Sequence, residues 1–109
     1  MIFKYVIAVI RPDVLKEVEV RLGPHVRGMM VTKVMGSGGY TNFMARDLQT
    51  EHVKIEIFAE ESTVDAIVRT IMETAHSDIP GAGIVAVLPM ERFLHVRTGS
   101  DAFPNDSNE

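Results

Sequence analysis

VKIEIFAEESTVDAIVRTIMETA, residues Val53 to Ala75, changes its hydrophobic period once, and that change decides the fold class. The first part alternates: Val53, Ile55 and Ile57 are separated by Lys54 and Glu56, the pattern of a half-buried strand. The second part is helical, with Val64, Ile67, Val68, Ile71, Met72 and Ala75 on one apolar stripe. Ser62-Thr63-Val64-Asp65 has the form of a capping box, whose short polar side chains satisfy free amides and predict the helix start.

Downstream, Pro80-Gly81-Ala82-Gly83 reads as a turn, Ile84 to Leu88 as a buried strand, and Leu94 to Arg97 as a short further one. Upstream, the same order occurs once more. Ile2 to Ile10 is short and rich in β-branched residues, a buried strand ended by Arg11-Pro12. Val14, Leu15, Val18 and Leu22 have helical spacing, with Asp13 near the start and Gly23-Pro24 as the stop. Met29 to Val34 reads as a strand that Gly36, Gly38 and Gly39 interrupt, and Tyr40 to Thr50 reads as a loop.

Two βαβ units joined by that loop predict an α+β fold of ferredoxin-like type, an antiparallel sheet with both helices on one face. The strands are apolar on both sides, so the uncovered face predicts oligomerisation. One domain, 1–99, accounts for the pattern, followed by a small, polar, acidic tail over 100–109 that reads as disordered.

The chain has 109 residues, 46% hydrophobic and 24% charged, which suits one packed domain. A formal net charge of -4 argues against a nucleic-acid surface. With no cysteine there is no disulfide framework, thiol nucleophile or thiolate metal site. The first residues lack the pattern of a signal peptide, and no apolar run reaches the roughly 18 residues a membrane span requires. A cytoplasmic protein without direct membrane insertion is the expectation. The four histidines, His25, His52, His76 and His95, do not have zinc-motif spacing, and no nucleophile–base pair stands out, so neither a metal site nor an enzyme is expected.

Taken in order, several short stretches resemble the PII nitrogen-regulatory family. They are Ile10-Arg11-Pro12, Gly28-Met29-Met30-Val31-Thr32-Lys33-Val34, Gly36-Ser37-Gly38, Val53-Lys54-Ile55-Glu56-Ile57, Gly81-Ala82-Gly83 and Val96-Arg97-Thr98-Gly99. The resemblance implies a homotrimer with adenine-nucleotide clefts between subunits and a T-loop, here about residues 37–51, that docks on a protein target such as a membrane transporter. It places nucleotide contacts at Val9, Gly28, Met29, Met30, Gly36, Ser37, Gly38, Gly81, Ala82, Gly83, His95 and Arg97. Glycines let backbone amides approach phosphate, and the arginine fork at Arg97 can hold two phosphate oxygens. Met29 and Met30 read as packing or adenine-cleft residues.

The chain also departs from the family. Its T-loop is shorter. Tyr40 stands where the family has a glutamine that helps hold magnesium and 2-oxoglutarate, and His52 stands at the loop-exit lysine. The lysine and aspartate positions around the B-loop glycines read Ile79, Ala82 and Ile84, and His95 replaces an arginine. Fewer cations imply weaker holding of a triphosphate, hence ADP or AMP over ATP, and leave magnesium open. Gly39, Tyr40 and His52 then mark a place for a different small anion. Bicarbonate is the alternative input, because some divergent relatives act in inorganic carbon uptake or near carboxysomes. A CutA-type metal-tolerance trimer shares this fold, and the missing cysteines count against it.

Overall fold

The computed structural model describes residues 2–36 and 50–101. Strand β1 (Phe3–Ile10) leads through a 3₁₀ turn at Pro12–Val14 into helix α1 (Leu15–Leu22). Strands β2 (Met30–Gly36) and β3 (Thr50–Glu60) follow, then helix α2 (Glu61–Ala75) and strand β4 (Gly83–Pro89). Leu94–His95 (β5) and Ser100–Asp101 (β6) form a small separate ladder. The main sheet has the order β2-β3-β1-β4 and is antiparallel throughout. This is the ferredoxin-like α+β arrangement that the repeated period pattern predicts.

Register explains the core. Val6 pairs with Ile57 on one side and Val87 on the other, and Ala8 pairs with Ile55 and Val85. Alternate residues share a face, so Val6, Ala8, Ile10, Val53, Ile55, Ile57 and Ala59 all point to the helices and are buried. The helices supply Val18 and Leu22 from α1 and Val64, Ile67, Ile71 and Ala75 from α2. Val68 packs on the rim of this core, whereas Met72, at the edge of the predicted stripe, is 56% exposed. Burying a residue such as Ile67 stabilises by about 2 kcal/mol.

Several boundaries differ from the sequence reading. The short strand read over Leu94 to Arg97 covers only Leu94–His95, and Val96 and Arg97 lie in the turn that follows it. Strand β2 runs through Gly36 and β3 begins at Thr50, because Gly36 pairs with Thr50 and Met35 with Glu51. Backbone ladders need no side-chain period, so they extend past the last alternating residue. Thr50 and Glu51 are therefore strand residues and not loop. The capping box does not form. Helix α2 starts at Glu61, its cap residue Glu60 makes no side-chain cap bond, and the Thr63 hydroxyl donates to the Glu60 carbonyl at 2.9 Å. A tertiary partner replaces the box: the Glu61 amide donates to the Ile2 carbonyl at 2.9 Å, so the start of β1 satisfies a free helix amide. Lastly, Ser100–Asp101, at the head of the expected tail, pairs with Leu94–His95. The loop residues Ser37, Gly38, Gly39 and Tyr40 and the tail over 102–109 lie outside the described residues.

Candidate functional site

The described candidate residues gather at opposite ends of the sheet. At one end, β2 finishes at Gly36 beside Thr50, and the turn before β4 brings Gly81, Ala82 and Gly83 alongside the end of β1. Gly81 has φ 104° and Gly83 φ 123°, a backbone region open chiefly to glycine. Gly83 is further constrained by close approach: a Cβ there would lie 2.0 Å from the Val9 carbonyl oxygen. Val9 and Gly83, two of the expected contacts, thus meet backbone to backbone.

His52 holds this end together. It is 1% exposed, with Nε2 2.9 Å from the Gly81 carbonyl and Nδ1 3.3 Å from the Thr50 carbonyl. The shorter contact suits the tautomer with hydrogen on Nε2. The expected anion contact at His52 is therefore a ring buried between two carbonyl oxygens, bracing the glycine turn against β3. A cavity of about 210 Å³ adjoins it, lined in part by Arg11, Thr50, Ser77 and Pro80. The Nε of Arg11 and the hydroxyl of Thr50 are both buried, and among the described residues neither has a hydrogen-bond partner. The outer nitrogen of the same guanidinium, Nη1, lies 3.5 Å from Asp13.

At the other end, Gly28, Met29, Met30 and His95 line a cleft of about 340 Å³. These were expected together. Arg27, Glu56, Phe58 and Phe93 complete the lining and were not expected. Met30 pairs with Glu56 across the β2–β3 ladder, which is why the two face one cleft. Glu56 accepts a hydrogen bond from the Tyr5 hydroxyl, and Lys54 Nζ lies 3.9 Å from its other oxygen. That bond, burial and the carboxylate's charge, in that order, raise the Tyr5 phenol above its ordinary 10.0. Arg97 is exposed on the turn between β5 and β6, two residues beyond His95. The one available signal for Glu56 was a charged residue on the strand face that the apolar pattern marks for covering.

Among the described residues, no group of three histidine, aspartate or glutamate side chains converges to hold a metal. None of the described helices is long and apolar enough to cross a membrane.

Sheet order and the helix layer define an α+β, ferredoxin-like fold. Comparison with known proteins then identifies the family. The model of the family "Nitrogen regulatory protein P-II" matches residues 3–100, and the chain belongs to it. It is 36% identical to nitrogen regulatory protein P-II 2 of Methanothermobacter thermautotrophicus, over 91% of this chain and 94% of that one. It is 33% identical to nitrogen regulatory protein P-II of Microchaete diplosiphon, over 88% and 93%. The structure of B. subtilis GlnK superposes with a TM-score of 0.79 at 24% identity, covering 95% of this chain and 97% of that one, a likeness of fold. The chain is thus a member of a family of signalling regulators.

Proposed function

We propose that this protein binds an adenine nucleotide, ADP or AMP in preference to ATP, in clefts between the subunits of a homotrimer, and regulates a protein target through the loop that precedes β3. The observation that carries this reading is the separation of the two candidate groups. Met30 opposite Glu56 and Gly36 opposite Thr50 are six residues apart on one strand, about 20 Å. Adjacent copies would close one site by setting the 340 Å³ cleft of one against the glycine turn of the next. Exposed apolar side chains support association: Met30, Ile84 and Leu88 are 49%, 45% and 42% exposed.

The preference for fewer phosphates rests on charge. Ile79 and Ile84 flank the glycine turn and offer no cation, so an added phosphate gains little there. Thermal melting with ADP, AMP and ATP at millimolar concentration tests the reading, since a ligand that binds only the folded state raises the melting temperature. ADP or AMP should give the larger shift, and no shift with any of the three sinks it. Light scattering should give three times 12.1 kDa.

One observation favours a second input. Among the described residues, Arg11 Nε and the Thr50 hydroxyl are buried groups without hydrogen-bond partners beside the 210 Å³ cavity, and a small oxyanion such as bicarbonate would accept from both. Calorimetry with bicarbonate and with 2-oxoglutarate, each with nucleotide present, separates this reading from one in which nucleotide is the only ligand.

A further inference from the structure

A row of rings crosses the sheet face away from the helices and ends in the cleft. Tyr5 stacks on Phe58 with centroids 5.4 Å apart and planes at 21°, and Phe58 stacks on Phe93 at 5.7 Å and 28°. Phe93 then meets His95 edge-on at 5.2 Å. Offset stacks of this kind favour a fixed ring position beyond the area they bury. The first ring of the row is also the one whose hydroxyl reaches Glu56.

Glu56 is an awkward residue for a nucleotide cleft. Its charge repels phosphate, and a glutamate side chain has enough torsional freedom to swing away. Here one carboxylate oxygen accepts from Tyr5 and the other lies 3.9 Å from Lys54. The carboxylate is thereby held at the cleft wall with lone pairs left over. An ionised carboxylate accepts and never donates, so it suits the part of a nucleotide that carries donors: the sugar hydroxyls or an amino group of the base.

We propose that Tyr5 is a positioning residue of the cleft: its ring, braced on Phe58, fixes the Glu56 carboxylate so that it accepts hydrogen bonds from the nucleoside end of the ligand, and the cleft thereby rejects nucleotides that lack those donors. The inference rests on the nucleotide reading and adds a determinant of selectivity to it. Substitution of Tyr5 by phenylalanine keeps the stack and removes only the hydroxyl. Nothing in the alternation of β1 marks Tyr5 for this role, because its partner is 51 positions away.

The test is calorimetric titration of the full chain with ADP, 2′-deoxy-ADP and inosine diphosphate. The two analogues separate a sugar hydroxyl from the base amino group as the donor. Wild type should bind one of them at least about tenfold more weakly than ADP. Tyr5→Phe should lose about tenfold in ADP affinity and shrink that discrimination to less than about threefold. In a Glu56→Gln background, Tyr5→Phe should have little further effect, the signature of a shared interaction.

The difference between the phenolate absorbance titrations of wild type and Tyr5→Phe isolates Tyr5. It should titrate above 10.0 and return toward 10.0 in Glu56→Gln. Equal discrimination in wild type and Tyr5→Phe overturns the proposal while leaving nucleotide binding intact, as does a wild type that binds all three ligands alike. A wild type that binds no ADP overturns the nucleotide reading itself.

Discussion

The two ends of the sheet, which carry the candidate site residues, are built in different ways. The end at Gly81 and Gly83 is built from backbone: two positive-φ glycines, the Val9 carbonyl, and a histidine ring set against the Gly81 and Thr50 carbonyl oxygens. The end at Glu56 is built from side chains: Tyr5, Phe58, Phe93 and His95 in a row, with one carboxylate held between a phenol and an ammonium. Backbone sites tolerate almost no added volume, because the chain itself is the wall. Side-chain sites tolerate deletion better and lose selectivity before they lose stability.

Substitutions can break or sharpen that contrast. Gly83→Ala should be the most damaging, costing about 4 kcal/mol or more, because a Cβ would overlap the Val9 carbonyl at 2.0 Å and φ is 123°. Urea denaturation measures it, and a loss under about 1 kcal/mol would show that the turn relaxes and the backbone wall is soft. His52→Ala should come next, at about 3 kcal/mol, since it leaves a cavity and the Gly81 carbonyl oxygen without its donor. Faster hydrogen exchange at Gly81 to Gly83 in that variant would confirm that the ring braces the turn.

At the side-chain end, Tyr5→Phe should cost only about 1 kcal/mol at neutral pH. Its effect on stability should depend on alkaline pH. The folded protein holds the phenol proton more tightly than the unfolded chain, because the hydrogen bond to Glu56 raises the Tyr5 value above 10.0. That contribution is whole below 10.0 and is lost as pH rises through the raised value, so wild type should show a step in melting temperature there that Tyr5→Phe lacks. The smallest effect belongs to Arg97→Ala. The side chain is exposed, so stability should change by less than about 0.5 kcal/mol, while nucleotide affinity falls about tenfold if the guanidinium meets phosphate. Unchanged binding would remove Arg97 from the site.

Most of the fold was legible because burial imposes a period. Val53, Ile55 and Ile57 had to share a strand face, and Val64, Ile67, Ile71 and Ala75 a helix face, whatever lay around them. The glycine turn was legible for a related reason, as a positive φ leaves a mark in the residue type. The start of α2 was not, because the Ile2 carbonyl, distant in sequence, satisfies the Glu61 amide in place of the capping box. His52 was read as a loop-exit side chain and is instead the buried polar residue beneath the turn.

The sequence by itself determined the two βαβ units, the helix-covered face of the sheet, the glycine turn before β4 and the family. Each of these depends on residue type or local spacing. Only the tertiary structure decided that Glu56 lines a cleft, that Tyr5 holds it, and that Phe58 and Phe93 extend the row to His95. Those contacts join β1, β3 and the segment before β5, and their geometry is set by strand register, which no single stretch of sequence contains.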